Sequence, residues 1–355
     1  MKAAVFYGPK DIRFEEVPKP QITADEFLLK VGAAAICGSD LRTYLHGHFK
    51  VKTPHILGHE FAGTVVEVGA NVTGISVGDR VSVHPGIPCG TCYYCKKGQQ
   101  NMCEDRPGIG TALPGALAEY VAIPKKTLAA GTVAPIPEEK DFELGALGDP
   151  LVSALNGQEN VEVQFGDTVV ILGAGAIGMY HAMLSKLKGA GQIILANRGQ
   201  DRLDYAKERQ IADHYFSLES GQANRDELDK LVKALTDGRG AEVVIVANTS
   251  TDSAAQAVEL AAKNGKVLLF AGFPKDAPEL GLDGNLIHYR QIKVMGSLGS
   301  TPLQYQKAIR MLVTGQIDGK AVVTHRIPLS QIVEEGFQRM MDGTGLKVVI
   351  NEFDK

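Results

Sequence analysis

Four of the chain's five cysteines lie close together: Cys89, Cys92, Cys95 and Cys103, spaced C-x2-C-x2-C-x7-C. Four thiols on short loops can converge tetrahedrally on one soft divalent metal, and zinc is the usual occupant. In a reducing compartment such crowding points to metal ligation rather than to disulfides. Four cysteine ligands fill every position of a tetrahedral zinc and leave no room for water or substrate. The expectation is a structural zinc that staples the loop 86–105. Cys37 stands apart, in "AAICGSDLRTYLHG". It is followed by "ILGHEFAGTVVEVG" with His59 and Glu60, and by "GALGDPL" with Asp149. Cysteine, histidine and carboxylate suit a catalytic zinc, which takes three protein ligands and keeps one position open. Distance in sequence leaves that reading open. A lone cysteine is more often packing, and a lone histidine more often a satisfied polar group.

A second chemistry-bearing stretch is Gly173-Ala174-Gly175-Ala176-Ile177-Gly178, a match to G-x-G-x-x-G. It follows the apolar run "TVVIL" and opens a helical pattern, the context a dinucleotide-binding turn requires. The first glycine serves the tight turn, the second the approach of a pyrophosphate, and the third helix-on-strand packing. About 20 residues on, an NAD site usually carries an acid for the ribose 2′-hydroxyl. Here the sequence reads "IILANRGQDRL", with Asn197 at that place, then Arg198 and Arg202. Loss of the carboxylate removes repulsion against a 2′-phosphate, and arginine supplies a permanently charged partner. NADP(H) is the favoured cofactor. The alternative is that both arginines lie on a solvated surface while Asn197 bonds an NAD ribose.

The elements that must position these groups change character along the chain. Residues 1–152 read as short strands broken by Gly, Pro and Asn. From 153 to 295, strands alternate with amphipathic helices, which argues for a parallel sheet covered on both faces. After 296 come a helix over "PLQYQKAIRMLVTG", a second over "QIVEEGFQRMMDG" and a last strand at "LKVVIN". Two domains suit 355 residues. A net charge of −4 gives no reason to expect nucleic acid or another polyanion. No run of 18 apolar residues suggests a membrane span, and the first residues alternate like a strand rather than a leader. A cytoplasmic location is expected.

"CGSD", "GHEFAGTVVEVG", "VGDRV", the four-cysteine loop, "GALAEYV", Asp149-Pro150 and "VVILGAGAIG" occur in one order along the whole length. By these the chain resembles the zinc-dependent medium-chain dehydrogenases/reductases of the alcohol and polyol (sorbitol-like) dehydrogenase type. The resemblance implies an α/β protein: a mostly β GroES-like catalytic domain (1–152 with 296–355) and a Rossmann doubly wound domain (153–295). It implies catalytic zinc at Cys37 and His59, with Glu60 as a nearby carboxylate able to enter or leave the metal shell. It implies that Ser39 begins a proton relay. A homo-oligomer, dimer or tetramer, is implied as well.

Two positions depart from the family pattern. Polyol dehydrogenases usually have "EPL" where this chain has Asp149-Pro150-Leu151. The shorter acid leaves direct or water-mediated ligation open. The usual relay histidine, five residues after the zinc cysteine, is replaced by Arg42, which cannot accept a proton near neutral pH. His46, nine residues after Cys37, is a candidate substitute in that relay. Tyr44 and His46 are candidate contacts to a polyhydroxylated substrate. The function expected is zinc-dependent hydride transfer between NADP(H) and a secondary alcohol or ketone, a polyol or sugar. The alternatives are a threonine-dehydrogenase-like or sugar-phosphate dehydrogenase using NAD, and a catalytically silent relative that binds without turnover.

Overall fold

Apolar alternation in the first part of the chain resolves into antiparallel strands. The central pair is Glu26–Ala35 with Glu60–Val68, each with most residues buried. Around it a seven-stranded sheet runs in the order Val323–Pro328, Lys347–Glu352, Glu26–Ala35, Glu60–Val68, Arg80–Val83, Val133–Pro135, with Tyr120–Pro124 also paired to Glu26–Ala35. A three-stranded sheet of Asp11–Glu16, Lys2–Gly8 and His55–Ile56 accompanies it. Phe27, Leu29, Ile36, Phe61 and Phe337 meet in its core, each 2 % exposed or less. Full burial of such side chains stabilises by about 1.5–3 kcal/mol apiece.

The structure is a computed structural model that describes residues 1–218, 222–274 and 278–354. It has two units, Met1–Val152 with Ser300–Lys355, and Ser153–Gly299. The sequence places the return to the first unit at 296. The structure carries the second unit four residues further. Strand Lys293–Gly296 is the edge of its sheet, and the Ser300 hydroxyl bonds His84 Nε2 in the first unit at 2.9 Å.

In the second unit six parallel strands run in the order His214–Ser217, Gln192–Asn197, Thr168–Leu172, Ala241–Val246, Ala261–Leu269, Lys293–Gly296. By sequence rank that is 3-2-1-4-5-6, the doubly wound order whose reversal point lies beside Thr168–Leu172. Every residue of that strand is buried, as helices on both faces require. Pro302–Val313 forms the expected helix, capped by Thr301 and Gln304. The helix expected over "QIVEEGFQRMMDG" is corrected: Ile332–Phe337 is a π-helical turn, and only Gln338–Met341 is α-helical. Ile332, Gly336 and Phe337 are all buried, and the wider π turn brings positions i, i+4 and i+5 to one face.

Candidate metal and cofactor sites

Strand register assembles the first cluster. Ala35 pairs with Glu60, so Cys37, just past one strand, meets His59 and Glu60 at the start of the next. Ligand atoms of Cys37, His59 and Glu60 lie within 4.8 Å of one another. Strand Lys347–Glu352 pairs along the other side, Val349 against Ala35. That register carries Lys347 to the same place. Its buried ammonium lies 2.8 and 3.0 Å from the two Glu60 oxygens and donates to the Ile36 carbonyl at 3.2 Å.

The helix Gly38–His46 begins at Cys37. Asp40 accepts from the Cys37 backbone N–H at 3.0 Å, and its other oxygen takes His59 Nδ1–H at 3.2 Å. One carboxylate thus starts the helix and fixes the imidazole, leaving Nε2 free to ligate. Burial opposes a charged His59, but Asp40 and Cys37 hold it well above its ordinary value. Burial raises the Glu60 carboxyl, while Lys347 pulls the other way. The Cys37 sulfur, the His59 imidazole and the Glu60 carboxylate are a donor set that suits a divalent cation. Asp149 stands outside the 4.8 Å set, though its charge is felt at Glu60, His84 and Lys347. Removing one partner of a buried ion pair leaves the other uncompensated, at about 3–5 kcal/mol. Lys347→Met should therefore unfold at markedly lower denaturant. An unchanged midpoint in urea would show that Glu60 does not depend on Lys347.

A cleft of about 210 Å³ opens beside this cluster, lined among others by Ser39, His59, Gly86, Arg106 and Thr111. Ser39 is exposed, and its hydroxyl is 3.5 Å from His59 Nε2. Neither Tyr44 nor His46 lines that cleft. Tyr44 is buried and stacks on Phe337 at 4.7 Å. His46 and Arg42 are exposed. The sequence reading missed Asp40, Lys347 and Arg106. Asp40 had a local signal, an acid at the third position of a helix. The other two had none, since each depends on register with distant chain.

The four-cysteine loop forms the second cluster, its sulfurs within 4.8 Å of one another. Cys89 and Cys95 sulfurs are 4.0 Å apart, and those of Cys92 and Cys103 are 3.9 Å apart. Sulfurs about 2.3 Å from a tetrahedral zinc stand about 3.8 Å from each other, whereas a disulfide needs about 2.05 Å. All are free thiols. The Thr91 hydroxyl and nearby amides push Cys89 down to about 6, while burial pushes Cys95 up to about 12. Both clusters therefore fit zinc in donor type, and the loop fits it in spacing as well.

The glycine turn shows each role of its motif. Gly173 has φ +122°, open only to glycine at low strain. A Cβ on Gly178 would sit 1.8 Å from the Gly173 carbonyl, so helix Ala176–Leu187 packs directly on the turn. A Cβ on Gly175 would meet only Arg202 Nη1, at 4.0 Å, which leaves the space a pyrophosphate needs. Ala176 and Ile177 open that helix. Asn197 is 8 % exposed and already bonded: its Oδ1 accepts from Ala174 N–H at 3.0 Å, and its Nδ2 donates to the Arg198 and Gly199 carbonyls. Its amide braces the glycine turn, and the residue lines the same cleft as Arg198. Arg198 is exposed and lines a cleft of about 490 Å³ with Leu218, Asn248 and Ser250.

These features define a dehydrogenase with a GroES-like unit and a dinucleotide-binding unit. Residues 23–138 match the alcohol dehydrogenase GroES-like domain, and residues 176–314 match the zinc-binding dehydrogenase domain. A sorbitol dehydrogenase of Bombyx mori is 34 % identical over 98 % of both chains. A D-arabitol-phosphate dehydrogenase of Enterococcus avium is 32 % identical over 97 % of this chain and 94 % of its own. A Sinorhizobium meliloti chain solved with NADP bound superposes with a TM-score of 0.87 at 30 % identity, over 99 % of this chain and 98 % of its own. The chain belongs to the zinc-dependent medium-chain dehydrogenases, of the polyol type. No described helix is long and apolar enough to cross a membrane.

Proposed function

We propose that the protein interconverts a secondary alcohol and a ketone, of the polyol or sugar class, with NADP(H) and two zinc ions per chain. The observation that carries this is the convergence of Cys37, His59 and Glu60 beside a cleft that Ser39 enters. Zinc held by these residues would supply Lewis-acid polarisation of the substrate oxygen, and the nicotinamide the hydride chemistry. Asp40 keeps His59 in the tautomer that leaves Nε2 to the metal. Lys347 holds Glu60 in place. Asp149 acts from outside the ligand set. The exposed Ser39 Oγ takes the proton of the substrate hydroxyl and releases it to solvent, so no histidine is needed at Arg42. The reaction balances as alcohol plus NADP⁺ giving ketone, NADPH and a proton. A panel of polyols and ketones with both cofactors tests this. No turnover with any member would count against it.

NADP is the better fit for three reasons. No acid ends strand Gln192–Asn197. Arg198 faces the open cleft. Among the described residues lining that cleft the one acid, Asp252, is paired with Arg225 at 3.4 Å. A charge-assisted contact to phosphate contributes about 1.5–3 kcal/mol, or about 10- to 150-fold. Arg198→Leu should raise KM for NADP(H) by that factor and change KM for NAD(H) far less. Wild-type kcat/KM that is equal or better with NAD(H) would refute the preference.

The same reading makes the protein a homo-oligomer. Edge strand Lys293–Gly296 lies between Tyr289 and Leu298, both strongly exposed, and an uncovered edge of this kind invites pairing with a second copy. Sedimentation showing only monomer would count against that. The cytoplasm, which keeps its five free thiols reduced, is the location the reading implies.

A further inference from the structure

The cleft beside Ser39 and His59 is lined by a cation, Arg106, that makes no salt bridge among the described residues. Arg106 Nη1 donates to the Asn101 carbonyl at 3.4 Å. Nη2 donates to the Ser300 carbonyl at 3.3 Å and faces His84 Nε2 at 3.4 Å. Carbonyls orient a guanidinium but do not neutralise it. Among the described residues no carboxylate oxygen lies within 4.0 Å of it. His84 does not compensate either, since burial and then Arg106 push it down to about 4 and keep it neutral. Burial is the largest effect and destabilises its charged form, while the charges of Asp149, Cys103 and Cys95 favour it from beyond contact distance. Arginine stays charged regardless.

The chain makes room for this group. A Cβ on Gly86 would lie 2.2–2.5 Å from the Arg106 guanidinium, so only glycine lets the guanidinium lie against that backbone. A half-buried cation with no carboxylate in contact is stabilised by a ligand that brings a negative charge to it. The cleft it lines is the one entered by Ser39 and His59.

We propose that the substrate carries an anionic terminal group, a carboxylate or a phosphate, which Arg106 receives while the reacting hydroxyl lies beside Ser39 and His59. This rests on the dehydrogenase reading above and narrows its substrate class to hydroxy acids or polyol phosphates. The fork of the guanidinium matches either oxyanion in a two-point contact.

A matched set of erythritol, erythronate and erythritol 4-phosphate tests it, each with the zinc-loaded enzyme and both cofactors. At least one anionic member should exceed erythritol by 10-fold or more in kcat/KM, and which one identifies the group. Arg106→Gln should lower kcat/KM for that anion at least 10-fold more than for erythritol. Arg106→Lys should restore part of the difference, since it returns the charge without the fork. If erythritol equals or surpasses both anions, or Arg106→Gln lowers all three alike, the anion site is overturned while the dehydrogenase reading stands. If none is turned over, the dehydrogenase reading is what suffers, and calorimetric titration of the three into zinc- and NADP-loaded protein decides the site. Failure of both anions to bind more tightly than erythritol, or binding indifferent to Arg106→Gln, then overturns it.

Discussion

Cys37→Ser protein should fold, hold one zinc fewer than wild type, and lose about a thousandfold or more of its turnover. The fold survives because Cys37 is the N-cap of helix Gly38–His46, and serine is among the best residues there. The Asp40 contact to the Cys37 backbone N–H is untouched by the side chain. What disappears is the one thiolate of the cluster with His59 and Glu60. A hydroxyl is a poor zinc ligand beside a thiolate, and the Lewis acidity it helps to hold is worth several kcal/mol of barrier. Each 1.36 kcal/mol is a factor of ten in rate, which gives the magnitude. Elemental analysis and steady-state kinetics on freshly purified protein check both parts. A variant that kept a tenth of wild-type kcat, or its full zinc content, would remove the cluster from the chemistry.

Cys95→Ser should do the opposite, striking stability before chemistry. Cys95 is buried, and its sulfur lies 4.0 Å from that of Cys89. Three thiolates leave an open, weaker site. Metal binding coupled to folding is worth about 10 kcal/mol or more in isolated zinc-finger peptides. The loop is one part of a larger unit, so only a fraction of that reaches the global transition. A loss of a few kcal/mol lowers the melting temperature by about 5–10 °C in a unit of this size. Scanning calorimetry with metal analysis reads it. Unchanged melting and unchanged zinc would show that the loop holds itself by backbone contacts alone.

Local spacing carried most of what the sequence disclosed. Cys89, Cys92, Cys95 and Cys103 cluster because short loops cannot separate them far. Gly173, Gly175 and Gly178 serve one turn and the start of one helix. What stayed hidden depends on register between distant strands. Lys347 in "LKVVIN" reads as an ordinary lysine on a strand, and only the pairing of Val349 with Ala35 turns it onto Glu60. Arg106 reads as part of a polar loop until the fold sets it in the cleft with His59. Asn197 shows a subtler limit. Its position beside the glycine turn was legible, but its bonds to the Ala174 N–H and to two carbonyls, which brace that turn, were not. Tyr44 had an even balance between substrate and packing, and its stacking on Phe337, far on in the chain, was invisible in the sequence.

The pairing of Glu60 with Lys347 also sets an order in time. The two are separated by 287 residues of chain. At about 5–20 residues per second of synthesis, roughly 15 to 60 seconds pass between their arrivals. During that interval the whole of Ser153–Gly299 is made, and it can fold with its own parallel sheet. The strand pair around Cys37 and His59 meanwhile has one side uncovered, and Glu60 remains in water. On the ribosome the oldest part of the chain therefore waits for the youngest, and the surroundings of Cys37, His59 and Glu60 are the last thing the nascent protein completes.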